Sequence, residues 1–355
     1  MRIAIDGRKI ADFGIGTYIR GLLGALMAID ADDELIVFTL AESEGLVPRA
    51  KNLRMVAVDA AHYSVRELFA VRSAIRQANA DVFHAPHYVT PLLTGCPMVV
   101  TIHDLIHLHQ PLRNPAARSY ARWMIGRSVA NARAVLTVSE AVAEELAGRY
   151  PDAAPRITVT ANGVDERFLL GASPNDASIL EKWELERGRF VLFIGNDKPH
   201  KNVERLVQAW DAVHARHGDH RLVLTGGSFA RYGDRRMVTV TGRVGDAELA
   251  ALYGAAGCVA LPSLEEGFGL PALEAMASGA PLVVSRIPAL VELTAGAAIE
   301  VDPMSVDSIA VGIERALDDI RLRETMTARG RTRAAAFTWR RCAELTLEAY
   351  RKALG

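Results

Sequence analysis

A chain of 355 residues with 50% hydrophobic and 23% charged content can bury two cores of ordinary size. Its net charge of −1 provides no global field toward nucleic acid, which is not expected as a partner. The three cysteines, Cys96, Cys258 and Cys342, are far apart and odd in number, so they make neither a disulfide framework nor a zinc site and point to a reducing compartment.

The start, Met1-Arg2-Ile3-Ala4-Ile5-Asp6-Gly7, predicts a strand entering a turn, with no apolar run that would serve as a signal peptide. No stretch approaches the roughly 18 apolar residues needed to span a membrane, and a cytoplasmic protein is expected. Short apolar strands then alternate with amphipathic helices, the pattern of parallel α/β layers. Arg2–Ile5, Leu35–Phe38, Met55–Val58, Val82–His84, Met98–Ile102 and Ala134–Val138 predict one sheet. Arg189–Ile194, Leu222–Thr225, Met237–Val240, Cys258–Leu261 and Pro281–Val284 predict a second, with helices over Asn202–Arg216, Ala247–Gly254 and Val306–Asp319. Gly171-Ala172-Ser173-Pro174 marks a linker and a hinge between the two series, and Trp339–Leu354 reads as a final helix. The expected organisation is therefore a first domain over 1–170, a second over 171–338 and a helical tail over 339–355. Sheets of this kind bind ligands at the carboxyl ends of their strands.

Several loops at those strand ends carry candidate chemistry. Asp12-Phe13-Gly14-Ile15-Gly16-Thr17-Tyr18 opens a helix continuing to about Met27, but it starts too far past the first strand and lacks the third glycine of a dinucleotide fingerprint. His84 and His87 flank Ala85-Pro86, and His103 follows Val99-Val100-Thr101-Ile102. No pair of these histidines has the i, i+4 spacing or cysteine support of a zinc site, so no metal is expected. Ser139-Glu140, after Thr137-Val138, fits equally a helix cap and a functional segment at a strand end. From Leu112 to Arg133 the chain carries five arginines, Arg113, Arg118, Arg122, Arg127 and Arg133, with Tyr120 and Trp123 and no acidic residue. That segment fits either a platform for an anionic lipid or membrane surface, or a solvated helix with its aromatics in the core. In Gly195-Asn196-Asp197-Lys198-Pro199-His200-Lys201-Asn202, a strand passes to a helix whose start carries Lys201, where a cation is disfavoured unless an anion binds.

The most informative segment is Glu265-Glu266-Gly267-Phe268-Gly269-Leu270-Pro271-Ala272-Leu273-Glu274. Pro271 suits a first helical turn, so a helix is predicted through Ala272 to Ser278. Its free N–H groups, with those of Phe268, Gly269 and Leu270, suit a pyrophosphate, and Gly267 and Gly269 allow close backbone approach. Glu266 in the loop and Glu274 one turn into the helix can accept hydrogen bonds from two sets of hydroxyls, those of a sugar and of a ribose.

Glu266-x7-Glu274 in this setting resembles the signature of retaining glycosyltransferases of the GT-B fold, family 4 type. The resemblance implies two Rossmann-like α/β domains facing across a cleft, a C-terminal helix crossing back to the first, and a nucleotide-sugar substrate with no cofactor or metal. By position it implies that Glu266 lies against the donor sugar, that Glu274 binds the ribose, and that the Phe268, Gly269 and Leu270 amides hold hexose hydroxyls and phosphate. Pro199-His200-Lys201-Asn202 resembles the loop whose lysine binds the donor diphosphate. Thr241-Gly242-Arg243-Val244 resembles the segment beside the nucleobase. Asn196 departs from the pattern, standing where many members have an arginine. Gly14-Ile15-Gly16 followed by Tyr18 resembles the glycine loop of bacterial mannosyltransferase-like members, with Gly14 on the acceptor side and Gly16 beside the diphosphate. Thr101-Ile102-His103-Asp104-Leu105 matches the segment whose histidine contacts a donor-sugar hydroxyl, with Asp104 toward the acceptor, and His84 and His87 match a segment lining the acceptor cleft. The implied activity is hexosyl transfer with retention, His103, Glu266 and Lys201 being catalytic. The implied donor is GDP-mannose, with UDP-glucose and other sugars open. The implied acceptor is a glycan or lipid-linked glycan of cell-surface polysaccharide, met at an anionic membrane. An epimerase is disfavoured by Glu266-x7-Glu274, and a nucleotide-sugar-binding pseudo-enzyme is favoured by Asn196 alone.

Overall fold

A computed structural model describes residues 1–29, 32–60, 64–109, 115–170 and 176–355, which divide into two compact units. Unit 1 holds residues 1–163 and 338–355, and unit 2 holds residues 164–337. The Gly171–Pro174 linker lies outside the described residues.

Unit 1 is built on strands β1 (Arg2–Asp6), β2 (Glu34–Thr39), β3 (Leu53–Ala57), β4 (Val82–Ala85), β5 (Met98–Ile102), β6 (Ala134–Thr137) and β7 (Ile157–Val159). All pair in parallel, in the order β3-β2-β1-β4-β5-β6-β7. Helices α1 (Phe13–Ile29), α2 (Val65–Gln77), α3 (Ile106–His109), α4 (Pro115–Asn131) and α5 (Glu140–Arg149) connect them. Both faces of the sheet are covered: Phe83, Val100, Met124 and Ile125 belong to one core, and Ile3, Ile5, Leu22 and Leu136 to another. Central strands such as β5 therefore read as nearly continuous apolar runs, Thr101 being the exception there. Ser64 and Ser139 cap α2 and α5 by accepting from the N–H of Glu67 and Val142.

Unit 2 repeats the plan with β8 (Phe190–Gly195), β9 (Arg221–Gly226), β10 (Val238–Gly242), β11 (Cys258–Leu261), β12 (Leu282–Ser285) and β13 (Ile299–Val301), parallel in the order β10-β9-β8-β11-β12-β13. Its helices are α6 (Asp176–Glu181), α7 (Val203–Arg216), α8 (Asp246–Ala255), α9 (Leu270–Ser278), α10 (Pro288–Thr294), α11 (Val306–Asp318) and α12 (Ile320–Ala334). The apolar stripe of α7, Leu206, Val207, Trp210 and Val213, is buried, each aliphatic side chain contributing about 1.5–3 kcal/mol. The last helix, α13 (Trp339–Leu354), belongs to unit 1 and packs along α1. Gly21 of α1 leaves room for the Trp339 ring, which a Cβ there would strike. Strands β7 and β13 add to the eleven predicted; each is three residues long and lies at a sheet edge.

Candidate active site

In each sheet the chain reverses its direction of travel once, between β1 and β4 in unit 1 and between β8 and β11 in unit 2, which opens a crevice beyond the strands' carboxyl ends. In unit 2 the loops after β8 and β11 meet there. Lys201 Nζ donates to Glu266 Oε1 at 2.6 Å, and Ser263 Oγ donates to the same oxygen at 2.7 Å. Both charged side chains are largely shielded, 15% and 13% exposed. The Leu264 N–H to His200 carbonyl bond of 2.7 Å ties the two loops together. Asn202, in a left-handed conformation, donates its amide to the Pro262 and Pro303 carbonyls. Lys201 closes a short 3-10 turn, Pro199–Lys201, and Asn202 caps α7 behind it. The expected conflict between Lys201 and a helix start is thus already relieved by the Glu266 carboxylate.

Helix α9 begins where the sequence predicts. Gly269 has φ 97°, a left-handed conformation that admits glycine readily, and Leu290 packs where its Cβ would stand. The Ala272 and Leu273 N–H groups donate to the Gly269 carbonyl, so the amides of Phe268, Gly269 and Leu270 precede the first donors turned into the helix. Phe268 is buried edge-on against Phe337, Gly267 is buried beside it, and Gly279 ends α9 at φ 77°. Glu274, half-buried one turn on, accepts from the Tyr253 hydroxyl at 2.8 Å. Burial, with Asp246 and Asp165 nearby and only partly offset by the Tyr253 bond and Arg167, pushes the Glu274 carboxyl up to about 7. Gly242, at φ 69°, turns the chain from β10 toward exposed Arg243 and half-buried Val244.

Asn196 is half-buried, and its side-chain oxygen accepts from the Lys198 N–H at 3.3 Å, forming a local turn. Arg231 reaches the same loop and pairs with Asp197 at 2.8 Å. Sequence reasoning singled out neither Tyr253 nor Arg231; an aromatic inside a helix and an arginine in a loop carry no local signal of these partners.

The unit 1 candidates separate sharply. His84 is fully buried, with Nδ1 2.6 Å from the Tyr350 hydroxyl of α13 and Nε2 2.8 Å from Thr101 Oγ1, itself 3.0 Å from the Tyr18 hydroxyl. Burial, reinforced by His103, lowers its pKa to about 3. The acceptor-side role expected of His84 is therefore corrected: this neutral ring joins α13 to the sheet. Gly16 is also buried, its N–H donating to the Asp12 carbonyl at 3.1 Å and its missing Cβ making room for the Ile10 backbone, whereas Gly14 is exposed. The Gly16 backbone is thus taken up within its own loop, and Gly14 is the glycine of the pair that is open to solvent. Asp104 accepts from the Ile106 N–H at 3.1 Å, a local side-chain turn leading into α3. His103 is half-buried at the end of β5, edge-on to Tyr18 at 4.7 Å, and its Nε2–H donates to the Pro86 carbonyl at 3.0 Å. Burial lowers its pKa, so the ring is neutral and Nδ1 is an acceptor suited to a hydroxyl. His87 Nδ1 accepts from the Val89 N–H at 3.2 Å beside a recess lined by Asp6, Arg8 and Glu67. There the buried Arg8 guanidinium pairs with Asp6 at 2.6 Å and Glu67 at 2.7 Å. This cluster, at the crevice between β1 and β4, was not anticipated from sequence.

Helix α4 buries Ala121, Met124, Ile125 and Val129, but Trp123 remains 52% exposed, so its ring is outside the core. Arg127 lies over that ring at 5.8 Å and donates to the Thr90 and Pro91 carbonyls, next to exposed Leu92 and Leu93. Arg113 lies outside the described residues. Among the described residues no helix is long and apolar enough to cross a membrane.

Residues 176–333 match the family model for glycosyl transferases group 1, and residues 14–168 match that for glycosyltransferase family 4. O-antigen chain mannosyltransferase B of Escherichia coli is 29% identical over 95% of this chain and 96% of its own length. The MMP alpha-(1->4)-mannosyltransferase of Mycolicibacterium hassiacum is 30% identical over 79% of this chain and 72% of its own. Sucrose-phosphate synthase from Thermosynechococcus elongatus superposes with a TM-score of 0.79 at 22% identity, covering 99% of this chain and 98% of that one, and so shares its fold.

Proposed function

This chain belongs to the group 1, family 4 glycosyltransferases of GT-B fold, and we propose that it transfers mannose from GDP-mannose, with retention, to a glycan or lipid-linked acceptor of cell-surface polysaccharide. The observation that carries the reading is the shielded Lys201–Glu266 pair, 2.6 Å apart, in the crevice beside the start of α9. Both relatives described above are mannosyltransferases, which supports mannose over other hexoses.

The chemistry follows from where charge develops. Breaking the bond between the anomeric carbon and the phosphate oxygen sends the electron pair to the diphosphate and leaves oxocarbenium character on the ring. Lys201 and the amides of Phe268, Gly269 and Leu270 meet the diphosphate, and Glu266 holds the sugar hydroxyls and favours the cationic ring. The acceptor oxygen bonds the anomeric carbon on the face the diphosphate leaves, and its proton passes to the departing phosphate oxygen. No metal is required when Lys201 and a helix terminus carry the charge. His103 Nδ1 accepts from a donor-sugar hydroxyl, Glu274 binds the ribose, and Arg243 and Val244 border the base. The exposed Trp123, with exposed Arg118 and Arg122 on the same helix, supports contact with an anionic membrane at the cytoplasmic face.

The test is a thermal-shift panel of UDP, GDP, ADP and dTDP with their hexoses, followed by determination of the product's anomeric configuration. A GDP-selective shift is expected, since a ligand at a hundredfold its Kd adds about 2.7 kcal/mol to native stability. A shift with UDP alone reassigns the donor, and an inverted linkage refutes retention.

A further inference from the structure

The ribose carboxylate of this reading, Glu274, is held from outside its own helix. Tyr253, fully buried near the end of α8, donates its hydroxyl to Glu274 Oε2, while Oε1 has no hydrogen-bond partner among the described residues. The surroundings are acidic. Asp246 opens α8, Asp165 precedes the turn Glu166–Phe168, and the one cation among them, Arg167, is tied to Asp165 by bonds of 2.8 and 2.9 Å and paired with Asp246. Among the described residues, the cations of the other helices against α9 are engaged elsewhere: Arg331 of α12 lies by Ser278 and Gly279, and Arg333 bonds the Leu293 and Glu292 carbonyls of α10.

We propose that Tyr253 is a positioning residue for the nucleotide's ribose, fixing one oxygen of Glu274 so that the other accepts from the 2′,3′-diol, and that seating the diol expels a proton from Glu274. The inference rests on the donor-site reading and deepens it. A protonated carboxyl must give one oxygen over to donating, whereas a carboxylate can accept from Tyr253 and from the diol together. The balance is simple: the neutral acid and the ribonucleotide give the carboxylate complex and one proton released to solvent. Because burial raises the ligand-free carboxyl and the bound form is a carboxylate, proton release grows as pH falls toward and below neutrality and fades in alkaline buffer. The site then selects ribonucleoside diphosphates over those lacking the 2′-hydroxyl.

The experiment is titration calorimetry of the full chain with UDP, GDP and ADP and their 2′,3′-dideoxy forms, in PIPES and in Tris, on wild type, Tyr253→Phe and Glu274→Gln. The expected result is proton release with the ribonucleotide that binds, none with its dideoxy form, and none in Glu274→Gln. Tyr253→Phe should weaken the ribonucleotide about tenfold, the worth of one hydrogen bond to a charged group. It should leave dideoxy binding unchanged, which also reports an intact fold. Wild-type binding without proton release, or a Tyr253→Phe protein that keeps the wild-type ratio of ribo to dideoxy affinity, overturns the proposal while leaving the donor site standing. Failure of every nucleotide to bind wild type overturns the donor reading, and the proposal with it.

Discussion

Replacing Lys201 by Met and Glu266 by Gln, singly and together, separates the two roles that their contact assigns them. Removing one member of a fully buried ion pair costs about 3–5 kcal/mol, because the remaining charge loses its partner. Here both side chains keep a little solvent and Ser263 still donates to Glu266, so the expected cost of Lys201→Met is near the lower end, about 3 kcal/mol. At about 2–4 °C per kcal/mol for a unit of this size, the unit 2 transition should fall by roughly 6–12 °C in calorimetry. Loss of a preorganised charge at the leaving group should lower kcat by about 10²–10³-fold. Glu266→Gln should act differently. It frees Lys201 from sharing, so GDP affinity stays constant or rises, while transfer falls because the ring loses its carboxylate. The double variant should be less destabilised than the two single losses added together, since it leaves no unpaired charge. If Glu266→Gln weakens GDP as much as Lys201→Met does, the pair is a loop fastening and not a phosphate site.

The buried histidine predicts an acid-sensitive unit 1. His84 has a folded pKa of about 3 against an ordinary value of 6.5, so the folded state takes up fewer protons and its stability falls as pH drops through that window. Between pH 8 and pH 5 the loss from this group alone is about 2 kcal/mol. His84→Gln should flatten the slope of unit 1 stability against pH by that amount in denaturant titrations, and an unchanged slope would refute the assignment. At the surface, the exposed Trp123 and Arg122 of α4 should carry the protein onto vesicles rich in acidic lipid, with binding that fades as salt rises. Trp123→Ser should reduce co-flotation several-fold; binding indifferent to lipid charge and salt removes the electrostatic account.

Much of this architecture was legible because each signal was local. Cys258–Leu261 and Met98–Ile102 are buried on both faces, so they read as short apolar runs at the observed positions. Pro271 and Gly279 bracket α9 as first-turn and terminating residues. The edge strands Ile157–Val159 and Ile299–Val301 gave no such pattern, since three residues hold too little alternation to register. Lys201 and Glu266 are separated by 65 positions, and Tyr253 and Glu274 by 21. Family resemblance marked Lys201, Glu266 and Glu274, but nothing in the sequence marked Tyr253, because its hydroxyl's partner lies on another helix.

The two histidines at strand ends show how fine the missing information is. His84 lies inside β4, where its backbone registers with Ile5 on one side and Val99 on the other, and the sheet continues past it in both directions. Helix α13 then covers it, supplying Tyr350 from 266 positions away. His103 stands one residue beyond Ile102, the last of β5, past the last pairing described for that strand, and is only partly buried. A carboxyl-terminal loop residue faces the crevice only after the pairing has ended, so one position relative to the last ladder bond decides whether a histidine packs the core or meets a ligand. Sequence patterns place strand ends only to within a few residues, a wider margin than the single position over which that outcome reverses.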